Sequence, residues 1–359
     1  MERHLSSALT EPARESLRGK RVMVTGACGT VGKQLVQQLL ERFDVGELTG
    51  IDHNESELVF LEEQHAPRDN VRFLLCDVRD AVALMRETRR IDIIFHAAAY
   101  KHVYACERSP LEAVQTNILG VQNVLQAAVE NGVERLVFTS SDKAVNPTNV
   151  MGTSKLMGER LVTAAAIHPN HSGATFLSTR FGNVLGSRGS VIPIFRDQIR
   201  KGGPVTLSDP RMTRFIMSLD EAVRLVIESS LLGEPGEVLI TKMPAIRISD
   251  LAKIMIREYA PQCGHRPEDV ELRVVGPKPG EKLYEELMNE EETRRAFERE
   301  HYFVIRPAMM ARIASDGVPG PENAVERAYN SANVIPLSGD ELAEFMQRNQ
   351  LLSEERLTR

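Results

Sequence analysis

The chain reads as an α/β protein: a Rossmann-type, doubly wound parallel sheet with a smaller α/β substrate-binding lobe. Three observations predict this. Short apolar runs alternate with amphipathic stretches up to about residue 180, the rhythm of βαβ units around a parallel sheet. A glycine-rich turn, Gly26-Ala27-Cys28-Gly29-Thr30-Val31-Gly32, ends the first apolar run and opens the first amphipathic stretch. After residue 180 the rhythm breaks, with Gly182, Gly186, Gly189, Gly202 and Gly203 among Pro193, Pro204 and Pro210.

Taken in order, residues 21–27 read as a short buried strand. Val31, Leu35, Val36, Leu39 and Leu40 then share one helical face. Glu47–Asp52 follows as a strand, 55–66 as a helix, Val71–Val78 as a strand, 80–88 as a helix and Ile91–Ala98 as a strand. Ser109–Asn131 reads as one long helix and Arg135–Ser141 as the fifth strand. Right-handed crossovers place helices on both faces. Further on, helices at 219–232 and 248–260 flank a strand at 236–242, a strand is expected at 270–276, and a helix at Gly339–Leu352. The expected division is a cofactor domain over 19–180, rejoined by segments near 205–240, a lobe mainly over 181–305, and a C-terminal extension over 306–359.

At 359 residues the chain is large for one core. Apolar content of 42% and charged content of 26% are ordinary for a soluble globular protein. The net charge of −6 gives no reason to expect nucleic acid as a partner. No apolar run approaches the roughly 20 residues that span a bilayer. Met1 to Lys20 is polar, without a signal-peptide core, so the expected location is the cytoplasm. Cys28, Cys76, Cys106 and Cys263 lack metal-ligand spacing; reduced thiols and no metal are expected.

Gly26, Gly29 and Gly32 have the spacing of a dinucleotide-binding turn. The first permits the turn, the second lets backbone amides approach a pyrophosphate, and the third permits close helix packing. Thr30 and Val31 open the helix, whose N-terminus favours an anion. Asp52 ends the second strand 20 residues after Gly32, where an acid accepts from a ribose diol and repels a 2′-phosphate. NAD is therefore expected rather than NADP. Asp77 and Val78 follow the third strand; Asp77 could meet the adenine amino group or cap the next helix. The small Ala97 and Ala98 after His96 let the cofactor lie against backbone.

The most telling stretch is Ser140-Ser141-Asp142-Lys143, followed by Met151-Gly152-Thr153-Ser154-Lys155. A dinucleotide enzyme of this length usually carries Tyr-x-x-x-Lys at the second site. Here Met151 stands where the tyrosine would be, and an acid and an amine sit upstream. They follow the fifth strand, where open α/β sheets place their ligands.

These residues, with His96–Val103, Arg180–Ser190 and Pro279–Glu286, resemble the extended short-chain dehydrogenase/reductases. More narrowly, they resemble the nucleotide-sugar 4,6-dehydratases of bacterial polysaccharide and glycan biosynthesis, in the subset with methionine at this position. The similarity runs from about residue 19 to about 305 and points to the short form without preceding membrane helices. It implies a UDP-N-acetylglucosamine substrate and a bound NAD that removes a hydride from C4 and returns it to C6. Carried over by position, Asp142 is the acid at C6 and Lys143 the base at C5. Lys155 holds the nicotinamide ribose, Ser141 hydrogen-bonds the C4 oxygen, and Met151 packs beside nicotinamide or sugar. Asp142 is also expected to take the C4 hydroxyl proton in the tyrosine's place. Lys143 must be neutral to act; desolvation or a nearby Lys155 is expected to lower its pKa, with Asp142 and Lys143 titrating as a coupled pair.

On the substrate side the resemblance assigns Asn183 and Arg214 to the diphosphate, Glu281 to the uridine ribose, and Lys101 and His102 to the sugar pocket. Lys278 departs from the arginine usual before Pro-Gly-Glu-Lys, and an ammonium cannot grip phosphate bidentately. A homo-oligomer through helices 109–131 and 151–167 is implied. Two other readings stay open: a UDP-sugar 4-epimerase, and a non-catalytic cofactor-sensing or scaffold protein.

Overall fold

The computed structural model describes residues 10–168, 173–187, 189–309 and 323–352. The polar start before residue 10 and much of the expected extension (310–322 and 353–359) lie outside them. Six strands come first: β1 (Arg21–Thr25), β2 (Glu47–Asp52), β3 (Val71–Leu75), β4 (Ile93–His96), β5 (Arg135–Thr139) and β6 (Thr175–Arg180). They pair in parallel in the order β3-β2-β1-β4-β5-β6. The order reverses between β1 and β4, so the carboxyl ends of these two strands open the crevice where such sheets bind ligands. Most of their residues are buried, as expected of a sheet covered on both faces. The helix Thr30–Arg42 lays Leu35, Val36 and Leu39 into one of those cores.

β7 (Asn183–Val184), β8 (Val205–Leu207) and β9 (Thr213–Met217) leave the main sheet, and β10 (Val238–Thr241) rejoins it parallel to β6. β11 (Ala245–Arg247) joins β9 and β7, β12 (Leu272–Val274) pairs with β8, and β13 (Glu286–Met288) with the later β16 (Tyr329–Asn330). β14 (Ala296–Glu298) and β15 (Tyr302–Ile305) then complete a nine-stranded sheet, β15 running antiparallel to β10. The expected lobe over 181–305 is thus not continuous. Residues 296–305 belong to the main sheet, and the helix Leu219–Leu232 packs on Thr30–Arg42. A second core gathers Ile199, Leu251, Met255, Leu342 and Met346 beneath the smaller sheets. The last helix, Gly339–Arg348, packs on Ile248–Tyr259.

The expected single helix over Ser109–Asn131 is broken. Pro110–Val114 and Gly120–Glu130 are α-helical, and Gln115–Leu119 between them forms one π turn. Such turns cluster at functional sites. Among the described residues no helix is long and apolar enough to cross a membrane.

Candidate active site

The cofactor end of the crevice is shaped by backbone contact. Gly26 has φ +69°, and a Cβ there would meet the Ala98 backbone at 2.7 Å. A Cβ on Gly32 would lie 2.0 Å from the Gly26 carbonyl oxygen. The helix Thr30–Arg42 is capped by Gly29 without a side-chain hydrogen bond and has no acid in its first turn, so its first amides and positive dipole end are available to an anion. Asp52 is buried and accepts from the Cys28 and Asn54 amides, at 3.0 Å each. Gly26, Gly29, Asp52, Asp77, Val78, Ala97 and Ala98 line one cleft. Thr30, Val31 and Gly32 are not among its lining residues; they open the helix that follows Gly29. Arg79 lines it too and pairs with Asp77 at 2.5 Å, which holds the Asp77 carboxyl below its ordinary range. Asp80, not Asp77, caps the next helix. These residues fit a dinucleotide.

The other end of the crevice, where the sequence predicts acid and base, begins on the adjacent strand, β5. After β5 the chain turns through Ser140 and Ser141 into a short 3₁₀ turn, Asp142–Ala144. Ser141 Oγ donates to Asp142 Oδ1 at 2.7 Å and Lys143 Nζ to the same oxygen at 2.8 Å. Asp142 is fully buried and its Oδ2 has no hydrogen-bond partner among the described residues. Glu285 Oε1 lies 4.0 Å from Lys143 Nζ, and Arg214 Nε lies 3.6 Å from that oxygen. Burial works against the Lys143 charge, but Asp142 and Glu285 outweigh it and raise its pKa.

That overturns the expectation of a lowered pKa at Lys143. Lys155 does not neighbour it as supposed. Its Nζ donates to the Thr139 carbonyl at 2.8 Å over the Phe138 ring. It is Lys155 whose pKa burial pushes down, to about 8. Met151 is buried with Cys106 and Ala113, against Tyr100 and Val103. A Cβ on the next residue, Gly152, would meet the Lys143 carbonyl oxygen at 2.2 Å.

The substrate-side residues are more scattered. Asn183, on β7, keeps a buried Oδ1 with no hydrogen-bond partner among the described residues. Lys101 and His102 are exposed after β4, with the His102 ring against Gly189. Glu281 accepts from the Lys278 amide within its own turn. Arg214 differs from expectation. It is buried, and its Nη atoms donate to the carbonyls of Thr213, Lys282 and Leu283. With its donors directed inward and Nε facing Glu285, it ties the 282–285 segment in place rather than offering a free fork to phosphate.

Three residues at this end escaped sequence reasoning. Glu285 follows the Pro-Gly-Glu-Lys run, but nothing local names its partner. Asn117, in the π turn, donates to Tyr100 O and Ser154 Oγ and accepts from Tyr100 N, pinning the loop after β4 to the helix Val150–Ala166. Arg180 is buried between Glu159 and Glu292, at 2.6 and 2.8 Å, and donates to Leu287 O. Glu159 in turn accepts from Ser140. Only the arginine's place at the end of β6 was a signal.

The model of the polysaccharide biosynthesis protein family matches residues 22–307. The chain is 44% identical to an uncharacterized membrane protein of Methanocaldococcus jannaschii, covering 92% of this chain and 96% of that one. It is 36% identical to a UDP-N-acetylglucosamine 4,6-dehydratase (inverting) of Campylobacter jejuni, covering 81% and 84%. It is 34% identical to a UDP-glucose 4-epimerase of Rickettsia felis, covering 94% and 98%. It spans only 46% of the capsular polysaccharide biosynthesis protein CapD of Staphylococcus aureus. Among solved structures, Pen from Bacillus thuringiensis superimposes with a TM-score of 0.84 at 38% identity, over 92% of this chain and 98% of that one.

Proposed function

The chain belongs to the polysaccharide biosynthesis protein family of extended short-chain dehydrogenase/reductases, and on that premise we propose that it is a UDP-N-acetylglucosamine 4,6-dehydratase. The observation that carries this reading is the Asp142–Lys143 pair, 2.8 Å apart after β5, its acid fully buried and its amine partly so, with Met151 in the tyrosine position. A dehydration needs an acid and a base together beside the oxidised carbon; simple alcohol oxidation does not.

In this reading the amides after Gly29 hold the pyrophosphate, Asp52 the adenosine ribose and Lys155 the nicotinamide ribose. NAD, when bound, supplies a reversible hydride acceptor. Ser141 orients the C4 oxygen. Asp142, through its unpartnered Oδ2, takes the C4 hydroxyl proton and returns it to the C6 oxygen as water leaves. The 4-keto group acidifies C5; Lys143 removes that proton and, once water has left, returns one to C5. Since Asp142 and Glu285 hold Lys143 charged, it must first give up a proton. Asn183 and Glu281 face the UDP moiety. The product is a UDP-4-keto-6-deoxy sugar.

The likeness to a protein named UDP-glucose 4-epimerase supports a second reading, epimerisation at C4 without C5 chemistry. Incubation with UDP-N-acetylglucosamine in deuterated water, read by NMR and mass, separates the two. A dehydratase gives a product that has lost water and carries deuterium at C5. An epimerase gives one of unchanged mass without it. Absence of any product from several UDP-sugars would leave a non-catalytic role.

A further inference from the structure

The Lys143 amine lies between two carboxylates, only one of which belongs to the catalytic run. Asp142 Oδ1 is at 2.8 Å and Glu285 Oε1 at 4.0 Å. Glu285 is 4% exposed. Its backbone is held on both sides: its amide donates to Ser331 Oγ at 3.0 Å, and the Ser331 amide donates to its carbonyl at 2.8 Å. Glu285 Oε2, like Asp142 Oδ2, is buried without a hydrogen-bond partner among the described residues. A carboxylate so placed is costly unless cations answer it. Those facing it are Lys143, Arg214 through Nε at 3.6 Å, and Lys282. The Lys282 amine donates to Val145 O and lies 3.5 Å from Glu286.

We propose that Glu285 is a positioning residue for the reaction: it holds the Lys143 amine beside Asp142 and sets its charge. The inference rests on reading Lys143 as the C5 base. Two acids around one amine keep it a cation in the resting site, even against burial. At 4.0 Å the Glu285 oxygen is beyond hydrogen-bond distance of Nζ, so it acts on the amine through its charge, while Asp142 at 2.8 Å makes the direct bond.

The test measures Lys143 itself. Competitive acetylation across a pH series, read by mass spectrometry at the Lys143 peptide, reports the fraction of neutral amine without any sugar. In Glu285→Gln the lost negative charge should bring labelling on at lower pH, with about tenfold higher reactivity at pH 8, one pKa unit being tenfold. Arg214→Met, which removes a cation, should delay labelling to higher pH. Glu285→Asp should stay near the wild-type curve. A Glu285→Gln curve that superposes on wild type, or a shift in the same direction in both charge variants, would overturn the proposal. Should Glu285→Gln fail to fold, the Arg214→Met curve decides, and no delay there sinks the idea. The deuterium experiment tests the dehydratase reading separately, so the two can fail independently.

Discussion

The two ends of the crevice are built by different rules. At the cofactor end, Gly26, Asp52, Asp77 and Ala98 each sit within a few residues of a strand end. Two backbone contacts, Gly26 on Ala98 and Gly32 on Gly26, set its shape. At the catalytic end, Asp142, Lys143, Arg214 and Glu285 come from three distant segments. Buried ions hold them: Arg180 bonds Glu159 on the helix Val150–Ala166, and Leu287 O and Glu292 beyond Glu285. One end depends on the absence of side-chain atoms and the other on a balance of charge, so they should fail differently.

Asp142→Asn should show the contrast most strongly. Dehydration should fall by about a thousandfold or more, within the range for lost general acid–base groups. NAD affinity, measured by fluorescence titration, should stay within about twofold. If the Asn variant still reduces bound NAD when given substrate, the dual role of Asp142 is wrong. Next in size is Arg180→Met, which leaves Glu159 and Glu292 buried without their cation. Removing one partner of such a pair costs about 3–5 kcal/mol, readable as a lower denaturant midpoint.

Lys155 sits between the two ends and sharpens the comparison. Its pKa is about 8 in the folded protein, against an ordinary value of 10.5. Below about pH 8 the fold therefore carries a buried charge that the unfolded chain solvates freely, a cost of roughly 3 kcal/mol at 1.36 kcal/mol per unit. Lys155→Met should weaken NAD binding yet raise the thermal midpoint at pH 7. Between pH 8 and 10.5 the unfolded chain binds more protons than the native one, so wild-type stability gains with pH. The advantage of the variant should narrow across that window. The smallest effect belongs to Met151→Leu, a volume-conserving change in an apolar cluster. It should cost under about 1.5 kcal/mol and leave the dehydration rate within a few-fold. A large loss would mean that the methionine does chemistry.

The cofactor end was legible because its determinants are local. A glycine spacing, an acid at a strand end and a run of alanines each state their own geometry. Asp142, Lys143 and Lys155 were legible as residues but not as a network. Proximity in sequence suggested that the two lysines would repel, whereas Lys155 turns to the Thr139 carbonyl and Lys143 to Asp142, with Glu285 further off. Arg214 looked like a phosphate ligand by type. Only the folded chain shows its donors spent on carbonyls of residues 213, 282 and 283. Glu285, Arg180 and Asn117 stayed hidden for related reasons. Glu285 and Arg180 act across more than 100 residues, and Asn117 in its π turn bonds Tyr100 and Ser154 on two other segments.

Gly152 gives the crevice its gauge. The first turn of the helix Val150–Ala166 rests directly on the Lys143 carbonyl. One hydrogen atom is therefore the spacer between the helix that carries Lys155 and the turn that carries Asp142 and Lys143. A methyl group there would act as a shim between them, and in the proposed dehydratase it would prise the oxidising and eliminating halves of the reaction apart without touching either.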